Sequence, residues 1–511
     1  IGRGEDTEIT TYLEESMDFE MSGNVIDLCP VGALTSKPYE FVARPWELKK
    51  TETIDVFDAV GSSIRIDSKS EKILRVLPRI NEEINEEWIS DKTRFAYDGI
   101  NNQRIDRYYI RDTDGKLIEE SEQNVLKAIH HNLSNTKSSE AAALVGNTLD
   151  CESIFSFKNF LDELKIENYD CRQDGSFFIP SQRFSYIFNS TIKGIDDSDL
   201  CLLIGTDIKK EAPILSSRIR QRFLNSPKSY KIFSIGNFNL NFSVDFLGGS
   251  SSTLKKLNDK KNLDFFKKSK KPIFILGQGA MCQDDASDIF NYCLNFYQKI
   301  SKSSDWNGFN VLQTFSGRVG ALDIGFYNKK NISRSLIKQI YDGKFRVLYL
   351  MSADEINFDK IPKKTFVIYH GHHGDKAVKR ADLIVPMSCF TEKEGIYVNL
   401  EGRPQISNQV KLPVEGVNHS WEFFNKLSKL FNLEVFSSLN DLREKMFLNH
   451  EHLSFINQIK SSKINKSKFS KPKFSNQEMK SNISNFYMTD SVSRNSEIMS
   501  KCSLAFMKET K

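Results

Sequence analysis

The chain has 511 residues, enough for about two to four packed domains. Hydrophobic residues make up 39% and charged residues 27%, which excludes an intrinsically disordered chain, and no apolar run approaches the roughly 18 residues of a membrane span. A balance of 71 basic against 67 acidic residues, net +4, is too small to mark a nucleic-acid binder.

Residues 1–42 are irregular in pattern and carry a Cys-Pro segment. Residues 43–100 alternate apolar and polar, with Ile54 and Val56, then Ile64 and Ile66, then Ile73, Leu74, Val76 and Leu77, which predicts small antiparallel strands. From 101 to 436, apolar runs alternate with longer helical stretches. Strands are predicted at Ala142–Gly146, Leu200–Gly205, Lys231–Ile235, Pro272–Gly277, Phe345–Leu350, Thr365–Tyr369 and Leu383–Val385. Most are nearly unbroken and several stop at Gly, as strands buried on both faces of a parallel sheet do. The predicted class is α/β: a small mostly-β domain, then a doubly wound parallel-sheet body of one or two lobes. Residues 437–511 read as a polar, Lys/Ser/Asn-rich helical tail lying over a partner or over the body. Lysines bunch in Lys255–Lys271 and Lys460–Lys480 without the interleaved aromatics of a single-strand binder, so they read as solvated surface.

Eight cysteines without a C-x-x-C pair give no disulfide framework and point to a reducing compartment. The first residue is Ile1, so the sequence reads as a processed or truncated product with no targeting segment left to interpret. Chemistry concentrates on Cys29, in Cys29-Pro30-Val31-Gly32-Ala33-Leu34. A Cys followed by Pro and a small-residue turn is how ferredoxin-type cluster ligation ends. Pro30 fixes φ and removes a competing N–H. Gly32 and Ala33 let backbone N–H groups approach cluster sulfurs, while Val31 and Leu34 can shield them from water. A [4Fe–4S] cluster takes four thiolates, so one Cys does not hold it. On the motif alone, Cys29 is either a cluster ligand whose three companions lie upstream of Ile1 or on another chain, or a structural cysteine in a turn.

The run from Gly23 through Cys29 to Tyr39 resembles the large iron–sulfur subunit of respiratory complex I, closer in wording to the mitochondrial form. So do Ala43–Glu47, Asn85–Gly99, Gly371–Asp375, Tyr397–Arg403 and Phe486–Ser491, which together span the chain. The resemblance implies that residues 1–42 end an iron–sulfur domain in which Cys29 is the fourth ligand of a [4Fe–4S] cluster. It implies that 43–100 is a relative of a cluster-binding β domain, that 101–436 is a molybdopterin-oxidoreductase-like body, and that 437–511 is a tail. The implied function is electron relay from NADH and flavin toward ubiquinone, coupled to proton pumping by the whole complex, with no catalytic centre in this chain. The implied partners are the flavin-binding subunit, neighbouring iron–sulfur subunits and an amino-terminal half absent from this sequence. The implied location is the matrix side of the mitochondrial inner membrane, or the cytoplasmic face of a bacterial one, peripheral to the membrane.

Members of the molybdopterin superfamily with a cluster in the β domain place thiols where this sequence has Asp55, Asp58, Ser62 and Ser90. Oxygen ligands do not hold such cubanes, so these read as turn caps in a decayed site. Gly277-Gln278-Gly279 and Gly205-Thr206-Asp207 follow strands and read as tight turns or relics of a pterin-nucleotide loop. No Cys sits at a metal-ligand position; Cys171 and Cys201 are nearest, and Cys201 lies in an apolar run. No molybdenum is expected. His370, His372 and His373 lack carboxylate or Cys companions at ligand spacing, so a metal is not expected there either. Two alternatives remain: a molybdopterin-dependent oxidoreductase of formate dehydrogenase type, and a metal-free assembly subunit.

Overall fold

A computed structural model describes residues 4, 17, 19–302, 305–329, 335–464 and 471–509. The small sheet is antiparallel, with Lys49–Ile54, Ser63–Lys69 and Lys72–Pro78 side by side. Its alternation turns Ile54, Ile64, Ile66, Ile73 and Val76 into one core, where they meet Tyr97, Phe390 and Phe486 from three other parts of the chain.

The body holds two sheets. In the larger, Leu383–Pro386, Phe366–Gly371, Val347–Met351, Ala141–Val145 and Tyr169–Asp170 run parallel in that spatial order. Tyr108–Arg111 and Leu117–Glu120 close one edge antiparallel. In the smaller, Asp245–Gly248, Lys231–Ile235, Leu200–Ile204, Pro272–Leu276 and Phe309–Val311 are all parallel. Every strand predicted in the body is present, because buried parallel strands must be apolar on both faces; Leu200–Ile204 is at most 3% exposed at any residue.

The two lobes are interleaved rather than successive. The second sheet is inserted between Tyr169–Asp170 and Val347–Met351, so the first lobe is built from both flanks of the second. A hairpin of Gly395–Val398 and Pro404–Ser407 then ties the units together. At its turn, Gly402 is left-handed at φ +82°. Leu400 N–H donates to Ala59 O at 2.7 Å, Phe188 N–H donates to Leu400 O at 2.7 Å, and Glu401 accepts from Ile192 N–H at 2.8 Å.

Among the described residues the tail is α-helical only near its ends, at Leu439–Asn449, Ser491–Arg494 and Glu497–Glu509, which differs from the helical tail expected. Between the first of these and Phe486, the described residues carry no α-helix and lie across the body as a strap. The tail docks through backbone groups and through scattered apolar side chains such as Leu442, Met446, Met479 and Phe486.

Candidate functional site

The four-residue helix Val25–Leu28 ends at Cys29, whose φ/ψ of −79°/110° turns the chain into Pro30. Gly32 is left-handed at φ +66° with nothing within 4 Å of a Cβ built on it, so glycine is required there by conformation alone. The turn aims backbone N–H groups at the sulfur. Those of Val31 and Leu34, then Ala33 and Gly32, hold the thiol below its ordinary pKa against an opposing desolvation cost. That is a cradle for a thiolate. Val31, expected to shield a cluster, is 78% exposed, and no residue from Val25 to Glu40 is fully buried.

The four oxygen-bearing positions of the small domain converge at the start of the helix Asp91–Phe95. Ser90 caps it, accepting from Thr93 N–H at 3.1 Å, and its hydroxyl lies 2.8 Å from that of Thr93. Asp55 accepts from Phe57 N–H at 3.2 Å and Asp58 from Val60 N–H at 2.8 Å, both as caps of their own turns. Asp55 N–H donates to Ser62 O at 2.9 Å. All four are buried. Burial, reinforced by the neighbouring Asp58, pushes the Asp55 carboxyl up to about 8; burial also raises Asp58, and Lys92 opposes both shifts. A side-chain hydrogen bond with Thr93 also opposes the rise at Asp55. The compensating cation, Lys92, is 3% exposed, donates to Thr489 Oγ1 at 2.8 Å and lies 5.0 Å from the centre of the Phe486 ring.

The residues do not fit a pterin nucleotide. Strands Leu200–Ile204 and Pro272–Leu276 are adjacent and their chains leave in opposite directions, so the crevice beyond their carboxyl ends is where such a fold takes a ligand. A Cβ on Gly279 would lie 2.6 Å from Lys480 O and 2.7 Å from Gly205 O. The space that glycine leaves open is thus taken by the chain's own backbone. The strap is pinned there: Met479 N–H donates to Gly249 O at 2.8 Å, Gln283 Nε2 to Glu478 O at 3.2 Å, and Ser475 N–H to Asp285 Oδ2 at 2.6 Å. Farther on, Arg494 bridges Glu355 at 2.8 Å, Asp354 at 3.3 Å and Asp375 at 2.5 Å, locking the strap to the other lobe. A cavity of about 490 Å³ remains beneath, walled on one side by Asn482, Ile483, Ser484 and Asn485. Cys171 and Cys201 are buried in the two lobes; burial pushes Cys171 up to about 12 and Cys201 higher, so both stay thiols. A molybdopterin-oxidoreductase reading therefore meets glycine turns closed by the chain's own backbone, with that cavity left of the crevice.

The three histidines are core. His373 Nε2 faces Gly99 O at 2.9 Å and must donate, which leaves its Nδ1 to accept from His372 Nδ1 at 2.5 Å. Burial lowers all three, His370 and His373 to about 3, so they pack as neutral rings. Among the described residues no group of three His, Cys, Asp or Glu side chains is arranged to hold a metal.

Sequence reasoning passed over Asn24, Asp91 and Arg94, which tie the Cys29 segment to the small domain. Their only signal was membership in two of the most distinctive motif runs, since the contacts span 65 to 70 residues.

Four family descriptions match along the chain. These are a subunit 3 ferredoxin-like domain of NADH-quinone oxidoreductase over 1–35, and an NDSU1/NuoG-like 4Fe-4S domain of NADH-ubiquinone oxidoreductase over 48–98. Molybdopterin oxidoreductase follows over 104–430, then the C-terminal region of the corresponding NADH-ubiquinone oxidoreductase subunit over 453–502. The 48–98 match contains no cysteine. The solved acetylene hydratase from Pelobacter acetylenicus shares the fold, with a TM-score of 0.51 at 10% identity over 80% of this chain and 74% of that one. A NADH-quinone oxidoreductase subunit of Rickettsia felis is 41% identical over 98% of this chain and 73% of its own length. The 75 kDa subunit of NADH-ubiquinone oxidoreductase from Reclinomonas americana is 40% identical, over 98% and 75%. The mitochondrial NADH dehydrogenase [ubiquinone] iron-sulfur protein 1 of Solanum tuberosum is 38% identical, over 99% and 68%. The chain belongs to this family, the NuoG-like or 75 kDa iron–sulfur subunit of NADH:quinone oxidoreductase.

Proposed function

We propose that Cys29 supplies the last thiolate of a [4Fe–4S] cluster through which this subunit of NADH:quinone oxidoreductase passes electrons from NADH and flavin toward quinone. The observation that carries the assignment is the exposed Cys29-Pro30 turn, bent back by left-handed Gly32, at the end of the 1–35 match to a ferredoxin-like domain. When bound, the cluster takes up and gives back one electron at a time. The residues of this chain anchor one iron, hydrogen-bond sulfur and set the local charge. The other three thiolates come from residues outside this sequence, because the remaining cysteines lie in the body and tail, far from Cys29 in sequence. Leu28, Val31, Phe41 and Trp46, exposed by 59%, 78%, 99% and 79%, form the surface that the segment bearing those thiolates would cover. Neighbouring subunits in the electron path are a flavin-binding subunit and other iron–sulfur subunits. No described helix is long and apolar enough to cross a membrane. In this reading the subunit works in the peripheral arm, on the matrix side of the mitochondrial inner membrane or its bacterial cytoplasmic equivalent.

The test is Cys29→Ala in assembled complex. One [4Fe–4S] spectrum is expected to disappear and quinone reduction by NADH to collapse, while NADH oxidation by an artificial acceptor at the flavin persists. Cys201→Ala, a core change, is expected to leave the spectrum intact. A normal spectrum and full quinone reduction in Cys29→Ala would remove the assignment.

A further inference from the structure

The Cys29 loop is short of its own contacts. The helix before it has four residues, none of them buried, and the residues after it are open. What holds it is a network on its upstream side. Arg94, 4% exposed, donates from Nη2 both to Asp27 Oδ2 at 2.5 Å and to Asn24 Oδ1 at 3.0 Å. Asn24 is fixed in turn, its Nδ2 donating to Ile89 O at 2.7 Å and Met21 O at 2.8 Å while its Oδ1 accepts from Ile89 N–H at 3.1 Å. Asp91 accepts from Gly23 N–H at 2.7 Å. Gly23 packs so closely that an added Cβ would meet Arg94 Cδ at 2.8 Å and the Phe95 ring at 2.9 Å. Asp91 and Arg94 stand on the same short helix whose Thr93 and Lys92 complete the cysteine-free site, so one element serves both sites.

We propose that Arg94 is a positioning residue for the cluster at Cys29, acting through Asp27 and Asn24. Resting on the cluster assignment above, it does two things. It fixes the loop whose N–H groups cradle the thiolate, and it neutralises the carboxylate two residues from the ligand. Removing the guanidinium leaves Asp27 as an unbalanced negative charge beside the cluster, which disfavours adding an electron. Removing the carboxylate instead leaves Arg94 as an unbalanced positive charge and favours it.

The test is redox titration of the cluster signal by EPR in assembled complex. Arg94→Gln is expected to move the midpoint potential negative and Asp27→Asn to move it positive. The expected size is on the order of 59 mV, a tenfold change in a one-electron equilibrium. The double variant is expected to return toward wild type. A purely structural tether gives a different pattern, with both single variants broadening the signal the same way and the double broader still; that result overturns the proposal. Asp27 is partly exposed, so Asp27→Asn reports even where Arg94→Gln does not assemble; an unmoved potential in it is also fatal. Cys29→Ala run alongside separates the two ideas: if it keeps the signal, the cluster assignment fails, whereas if it loses the signal and Asp27→Asn leaves the potential unmoved, only the positioning role fails.

Discussion

The first hundred residues hold two regions that match iron–sulfur families, and they have ended in opposite states. Around Cys29 the thiol and its N–H cradle are present, but the segment is exposed and thinly packed. In the small β domain the packing is complete, but the thiols are replaced by Asp55, Asp58, Ser62 and Ser90. The absence of thiols therefore leaves no void. Asp55 and Asp58 cap their own turns, Ser90 caps a helix, and the buried Lys92 opposes the upward shifts of both carboxyls. The Cys29 segment shows the reverse, a thiol in an exposed turn, and under the proposed assignment it lies open to whatever supplies the remaining ligands.

Changes on either side of this contrast should behave differently. The largest expected effect is that of Cys29→Ala, which removes one cluster spectrum and quinone reduction while leaving the unfolding midpoint of the small domain unchanged. Next is Lys92→Met, which strands Asp55 and Asp58 without a cation. It is expected to cost about 1–3 kcal/mol in denaturant unfolding, because the half-buried Thr489 hydroxyl loses its charged donor and the aspartates lose the cation that opposes their upward shifts. The cluster at Cys29 should keep its iron in whatever fraction of that variant remains folded.

Asp55→Asn should act the other way. Its carboxyl is pushed up from 3.8 to about 8, so below 3.8 both folded and unfolded chains hold the proton and the full contribution is present. Between those values the unfolded chain ionises while the folded one does not, and stability falls as pH rises. The variant should match wild type near the lower value and gain on the order of 1 kcal/mol or more at pH 8, read from urea midpoints. A gain that shrank as pH rose would mean Asp55 is ionised in the fold.

The smallest effect is Ser90→Ala, which loses a helix cap and should cost about 1 kcal/mol with no change in iron content. Protein made under iron chelation should unfold at the wild-type midpoint for the small domain; a lowered midpoint, restored by iron, would mean the oxygen ligands do hold metal.

Much of the fold could be read from residues in order. Leu200–Gly205, Pro272–Gly277 and Thr365–Tyr369 were recognisable because a strand buried on both faces has few residue types open to it, and the turn caps at Asp55 and Ser90 because capping is local. The short edge strands Tyr108–Arg111 and Leu117–Glu120 escaped notice, being half exposed and mixed in composition. The tail's place over the body was one of two readings, whereas the strap that stands in for the expected helix was not legible, because its backbone hydrogen bonds leave no periodic trace.

By itself the sequence determined that the chain is α/β, that Cys29 sits in a Cys-Pro turn closed by Gly32, and that the small domain has no thiols with which to hold a cluster. Those properties depend on residue identity and on neighbours within a few positions. Tertiary structure alone decided that the second lobe is inserted into the first, that the strap occupies the crevice beyond the glycine turns, and that Arg94 reaches Asn24 and Asp27. Each of these joins groups 65 or more residues apart. Such pairings are selected by the burial and hydrogen bonding of the whole chain, and no local pattern of polar and apolar residues specifies which distant partner a side chain will meet.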